Sequence, residues 1–199
     1  MTKKLVLGTR NQGKIAEFRA LLADEDITLL SWQDYDHPFS VIEDGKAFWE
    51  NAFKKAELTA RITGEVSIAD DSGLEIQYLD QRPGVFSARY AGSHASDEDN
   101  NTKVLQKLKG VRLSYRGARF VCAIVICSPD RKWEWVEGEC QGVITESPRG
   151  RNGFGYDPLF LVPDLEKTFA ELSQEEKNRI SHRAKAVEKL RTLLKKYFP

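Results

Sequence analysis

The chain has 199 residues, enough for one well-buried core and short for two full domains. Apolar residues make up 41% and charged residues 30%, an ordinary globular balance with no stretch near the ~20 apolar residues of a membrane span. Basic and acidic residues number 30 each, so no global positive field exists to hold duplex nucleic acid, and any phosphate-binding charge must be local.

The first apolar run, Lys4 to Leu7, reads as a buried strand and is too short for a secretory signal, so a cytoplasmic protein is expected. Gly8 to Gly13 is a polar turn, and Ile15, Phe18, Leu21 and Leu22 then recur at helical spacing. Ile27 to Leu30 suggests a second strand, and Lys46 to Ile62 a long helix ended by Gly64. Val66 to Ala69 reads as a buried strand that ends in Asp70-Asp71-Ser72-Gly73. Asp97 to Leu108 is helical behind a Ser96/Asp99 capping pair. Phe120 to Ile126 and Lys132 to Ile144 read as the two arms of a hairpin, and Tyr156 to Val162 as a further strand. Ser173 with Glu176, and then Ser181, mark the starts of two C-terminal helices. Strands alternating with helices, plus a hairpin, predict an α/β fold with a mixed central sheet and flanking helices, in a single domain over residues 1–199. Cys122, Cys127 and Cys140 are odd in number and lack a C-x-x-C pair, which argues against disulfides or zinc; the first two lie in an apolar run, as buried inert thiols do.

Three segments carry chemistry. Gly8-Thr9-Arg10-Asn11-Gln12-Gly13-Lys14 fits G-x-x-x-x-G-K between a strand and a helix, where backbone N–H groups and a lysine can meet phosphates. Ile15 follows, where a P-loop needs Ser or Thr for Mg²⁺, so a P-loop nucleotide kinase or NTPase is the alternative reading and an incomplete one. Asp70 and Asp71 lie at the end of a strand, where ligands of open α/β sheets bind. Adjacent acids on an extended segment face opposite ways, so one can serve the site and the other a structural partner. Glu43, just before the long helix, either assists the helix dipole or joins Asp71 as a metal ligand, and that helix offers Lys54 and Lys55. In Gly153-Phe154-Gly155-Tyr156-Asp157-Pro158 the glycines permit close backbone approach, and Phe154 can stack on a base for roughly 1–3 kcal/mol. Lys177 and Arg183 converge there if the helix breaks near Ile180.

Taken together these segments resemble the inosine triphosphate pyrophosphatase family. The resemblance rests on T-x-N-x-x-K at Thr9–Lys14, E-x-G…F-x-E-N-A-x-x-K-A at Glu43–Ala56 and A-D-D-S-G-L at Ala69–Leu74. It continues through P-G-x-x-S-A-R-Y at Pro83–Tyr90, G-F-G-Y-D-P at Gly153–Pro158 and E-E-K-x-x-I-S-H-R at Glu175–Arg183, in order over nearly the whole chain. It implies two lobes around a nucleotide-binding cleft, a cytoplasmic homodimer, and hydrolysis of ITP, dITP and XTP to monophosphate and pyrophosphate with Mg²⁺. Carried over residue by residue, Thr9, Arg10, Asn11, Gln12, Gly13 and Lys14 would hold the triphosphate with Lys55. Glu43 and Asp71 would hold Mg²⁺, Asp71 would be the base for the attacking water, and Ser72 would touch the substrate. Phe154, Gly155, Tyr156, Asp157, Lys177, His182 and Arg183 would form the base pocket, with a cation such as Arg183 aimed at a 6-keto oxygen. Gly8 stands where the family usually has a small residue, often Ala.

Overall fold

The computed structural model describes residues 3–198; Met1, Thr2 and Pro199, which the sequence reading places in the single domain, lie outside the described residues. β1 (Lys4–Leu7), α1 (Gln12–Leu21) and β2 (Thr28–Ser31) make the first β-α-β passage, and α2 (Phe48–Thr63) leads on to β3 (Val66–Ile76). β1 pairs in parallel with both β2 and β3, the outcome that crossover helices impose. The chain continues through β4 (Arg82–Pro83), α3 (Asp97–Lys107), β5 (Gly117–Cys127), β6 (Trp133–Ile144), β7 (Phe160–Val162) and β8 (Lys167–Thr168). It closes with α4 (Gln174–Ile180) and α5 (His182–Tyr197). The hydrogen-bonded strand order is β2-β1-β3-β5-β6-β7-β8, with β4 also on β3. β4, β7 and β8 pair antiparallel with their neighbours, so the sheet is mixed and helices flank it, as expected.

Two compact units are built from interleaved segments. Of the described residues, the first comprises 3–71, 122–138 and 183–198, and the second comprises 72–121 and 139–182. In the first unit the period of two along each strand sorts side chains between two helical layers. Leu5, Leu7, Ile68, Cys122, Ile124 and Ile126 pack with Ile15 and Phe18 of α1 and Val187, Leu190 and Leu194 of α5. The alternate residues Ala69, Val125 and Cys127 pack against Ala52, Ala56 and Ala60, an alanine stripe that lets α2 lie close. In the second unit Leu74, Ile76, Phe120 and Ile144 pack with Val104 and Leu108, next to Phe160, Phe169 and Leu172.

Element boundaries differ from the sequence reading most at β3 and β7, while β5 begins at Gly117 rather than Phe120 and α2 at Phe48 rather than Lys46. β3 does not stop at Ala69: it runs through both aspartates to Ile76, because helices supply cationic and amide partners that keep the acids in a buried strand. β7 is shorter than expected, since 156–159 is a turn in which Leu159 and Phe160 both donate to the Tyr156 carbonyl. The capping signals match their helices. Ser96 and Asp99 bracket the start of α3, and Ser173 and Glu176 that of α4. The chain breaks at Ser181, which is extended between α4 and α5.

Candidate active site

β1 ends at Leu7, opposite Ile68 of β3, so the β1–α1 loop lies where β3 runs on past the end of β1 toward Asp70 and Asp71. The Gly8 amide donates to the Ile68 carbonyl at 2.7 Å. A Cβ on Gly8 would stand 2.9 Å from Thr59 Oγ1 and 3.1 Å from the Ala69 Cβ, so glycine lets this loop lie against α2 and β3. Asn11 caps α1, its Oδ1 accepting from the Lys14 amide at 3.0 Å, and Thr9 Oγ1 accepts from the Asn11 amide at 3.2 Å. Arg10 donates to the His37 carbonyl at 2.9 Å, and Gln33 donates to the Arg10 carbonyl at 3.0 Å, which ties the segment after β2 to the loop. Arg10, Asn11 and Gln12 are exposed, and Thr9, Gly13 and Lys14 half-buried. Ile15 is 3% exposed within the core, so the position that reaches Mg²⁺ in a P-loop is a packing residue here, which sets the kinase alternative aside.

Asp70 and Asp71 face opposite helical layers, as the pleat requires. Asp70 is fully buried and lies 3.0 Å from Lys14 Nζ and 3.1 Å from Arg183 Nη2. Burial opposes its ionisation, yet Lys14 and Arg183, with Lys55 beyond, hold its carboxyl far below the usual carboxylate range. Arg183 also forms an ion pair with Glu17 of α1. The Cys122 thiol lies 3.9 Å from Asp70, and burial beside that carboxylate pushes it well above an ordinary thiol.

On the other layer, Asp71 accepts from Asn51 Nδ2 at 2.9 Å and lies 3.8 Å from Lys55 Nζ. Burial pushes the Asp71 carboxyl upward, against the pull of Lys55 and Lys14 and the bond from Asn51. Lys55 Nζ is also 3.0 Å from Glu43 Oε2. Burial disfavours its charge, but Asp71, Glu43 and Asp70 raise its pKa in net, so the ammonium persists. A cation therefore already stands between Glu43 and Asp71, and the hard oxygen donors of this pair fit Mg²⁺, which is held by one or two carboxylates plus water and phosphate. Among the described residues no cluster of three or more His, Cys, Asp or Glu is placed to hold a metal ion.

In the second unit the glycine-aromatic string forms a tight loop. Asp157 Oδ2 accepts from the Phe154 amide at 3.0 Å and from Lys177 Nζ at 2.5 Å. Gly153 has φ +76°, and a Cβ there would fall 2.0 Å from Asp157 Oδ2, so only glycine fits. Lys177 Nζ lies 5.1 Å from the Phe154 ring centre and 5.5 Å from that of Phe169, within cation–π range. His182 stacks on Phe120 at 4.7 Å. Phe154 and Gly155 are half-buried, whereas Tyr156, Asp157, Lys177 and His182 are buried. Tyr156 donates its hydroxyl to the Ser87 carbonyl at 2.8 Å, which fixes the loop from below. Ser72 is half-buried on β3. The expected break near Ile180 is present, but Lys177 and Arg183 engage different carboxylates, and the Arg183 side chain is 1% exposed.

A model of the Ham1 family matches residues 5–193. The chain belongs to the Ham1 family. It is 50% identical over 192 residues to the dITP/XTP pyrophosphatase of Bacillus licheniformis, covering 96% of this chain and 98% of that one. With the dITP/XTP pyrophosphatase of Geobacter sulfurreducens it shares 52% identity over 184 residues, 92% of each chain. The structure of a HAM1 protein from Coxiella burnetii superposes with a TM-score of 0.87 at 42% identity, over 98% of this chain and 99% of that one. These relatives agree with the resemblance carried by the six motifs.

Four residues of this Ham1 chain gain positions that motif spacing did not disclose. Glu17 is a buried acid beside the apolar stripe of α1, and that misplacement is its one signal in the sequence. Asn51 lies one turn before Lys55 on α2, on the same face. Asp97 and Asn101, also one turn apart, grip both polar groups of Gly155, accepting from its amide at 2.7 Å and donating to its carbonyl at 2.9 Å.

Proposed function

We propose that this Ham1-family protein hydrolyses ITP, dITP and XTP to the nucleoside monophosphate and pyrophosphate, using Mg²⁺. The observation that carries the reading is the Glu43–Lys55–Asp71 arrangement, an acid pair around a buried ammonium. Bound Mg²⁺ would neutralise phosphate charge and hold the anhydride in place. Water attacks the α-phosphorus, Asp71 takes its proton, and the bond to the α–β bridging oxygen breaks as pyrophosphate leaves. Lys14 and Lys55 stabilise the charge that gathers on that leaving group. Thr9 to Gly13 contribute backbone and side-chain donors to the triphosphate, and Ser72 touches the substrate beside Asp71.

Phe154 and Gly155 supply a stacking face and a close backbone for the base, shaped by Tyr156, Asp157, Lys177 and His182. Arg183, placed by Glu17 and Asp70, is the donor proposed for a 6-keto oxygen; adenine presents a donor there where the site offers one too, and such mismatches discriminate strongly. A cytoplasmic homodimer belongs to the same proposal. No described helix is long and apolar enough to cross a membrane. Light scattering on the purified chain tests the dimer.

Product analysis on ITP, XTP, dITP, GTP and ATP with Mg²⁺ tests the reaction. Pyrophosphate and monophosphate from ITP, XTP and dITP, with little from ATP and GTP, is the expected result. Diphosphate and orthophosphate from ATP would overturn it.

A further inference from the structure

We infer that Asn51 is a positioning residue that sets the two carboxylates, Glu43 and Asp71, in register for metal binding, an inference that rests on the hydrolase reading above. Asn51 is fully buried and uses both ends of its amide. Nδ2 donates to Asp71 Oδ2 at 2.9 Å, and Oδ1 accepts from the Gly45 amide at 2.8 Å. One planar group thus spans from the strand carrying Asp71 to the loop carrying Glu43. It also distinguishes the two Asp71 oxygens. Oδ2 is occupied by a neutral amide, and Oδ1 is the oxygen that faces Lys55 at 3.8 Å.

The neighbouring sequence supports the brace. Glu50 Oε2 accepts from the Lys46 amide at 2.6 Å and, more weakly, from the Ala47 amide at 3.4 Å. Asn51 and Glu50 together therefore gather three successive backbone N–H groups, at 45, 46 and 47. Ala47, at the head of α2, has no side-chain oxygen with which to do so. Gly45 completes the fit, since a Cβ there would lie 2.7 Å from Asn51 Oδ1. Only a side chain carrying a donor and an acceptor can make both bonds, which an aspartate or an aliphatic residue cannot. Partners that orient metal ligands typically contribute about 10–100-fold in metal affinity or activity.

The test compares wild type with Asn51→Asp, which loses the donor, and Gly45→Ala, which pushes the amide from the opposite end. Mn²⁺ binding is followed by its spin resonance without nucleotide, alongside kcat and KM for ITP and a thermal melt. We expect Mn²⁺ affinity to fall about 10–100-fold and kcat to fall with it, while KM changes little. Wild-type Mn²⁺ affinity in both variants would overturn the inference, and so would a loss of kcat without a loss of Mn²⁺ affinity. If Asn51→Asp fails to fold, Gly45→Ala decides once its own melt shows that it folds, because its Cβ, 2.7 Å from Asn51 Oδ1 and 2.9 Å from the Glu50 Cβ, disturbs the same brace without adding charge. A wild type that binds Mn²⁺ but cleaves no triphosphate defeats the hydrolase reading alone, and the Mn²⁺ titrations still judge Asn51. A wild type that does neither defeats both.

Discussion

Asp70 and Asp71 are separated by one peptide bond, and burial pushes both carboxyls upward; at Asp71 burial prevails, whereas at Asp70 Lys14 and Arg183 overcome it. Asp71 keeps a raised carboxyl with the Lys55 ammonium on one side, which suits the proton-accepting role proposed for it. Asp71→Asn should keep ITP binding, measured by calorimetry, and lose about 10²–10⁴-fold in kcat. Binding and turnover both intact would move the base to Asp70 or Glu43. Asp70 instead balances Lys14 and Arg183 in the interior. Asp70→Asn leaves a buried guanidinium short of its counter-charge and should cost about 3–5 kcal/mol in urea unfolding at neutral pH. The sign of the pH effect follows from the depressed carboxyl. Its stabilisation is complete above the unfolded value of 3.8 and is lost as pH falls toward the much lower folded value. The gap between wild type and Asp70→Asn should thus narrow below pH 3.8, by about 1.4 kcal/mol per pH unit. A gap that stays constant through that range would mean the ion cluster is not what Asp70 contributes.

At the scale of elements, helix ends were written in the sequence and strand ends were not. Ser96, Ser173 and Gly64 act through their immediate neighbours, so local reading located α2, α3 and α4 to within about two residues. Gly64 ends α2 in the left-handed region at φ +69°, with open space where a Cβ would go. Gly64→Ala should therefore cost only the conformational penalty, about 1–2 kcal/mol, read as a fall in Tm of a few degrees without loss of activity. An unchanged Tm would show that the C-terminus of α2 relaxes freely. The sequence reads β3 as too short because two acids resemble a strand end, and the charges that keep them in the strand come from Lys14, Lys55 and Arg183, remote in sequence. The sequence reads β7 as too long because Tyr156 and Leu159 are as apolar as strand residues, while the turn is set by a local Asp157 bond to the Phe154 amide and by a tertiary one from Lys177.

For the whole molecule, the chain passes between the two compact units at 71–72, 121–122, 138–139 and 182–183. Neither unit is a continuous stretch, so neither is complete until the chain has been threaded through both. We propose that they unfold as the single domain expected from length. Calorimetry should give one transition whose calorimetric and van't Hoff enthalpies agree; two resolved transitions would contradict this. All three cysteines are buried, and burial pushes the Cys127 thiol up to about 11 and that of Cys122 further. An aromatic disulfide reagent at pH 8 should react slowly with the native protein and fully after unfolding. Rapid native reaction would mean that β5, which carries Cys122 and Cys127, or β6, which carries Cys140, opens readily.

The sequence by itself determined the α/β class, the helices and their caps, the phosphate-loop pattern and the family. These rest on periodicity, local capping and residue order, which act over a few positions or survive as motifs. Tertiary structure alone decided how the two aspartates divide, that Glu17 balances Arg183, that Asn51 bridges Gly45 to Asp71, and which loop residues stay accessible at Phe154 and Gly155. The physical reason is that charge and hydrogen-bond strength depend on burial and on partners supplied by other elements. Glu17 and Arg183 lie 166 residues apart, and no local pattern encodes such a pairing.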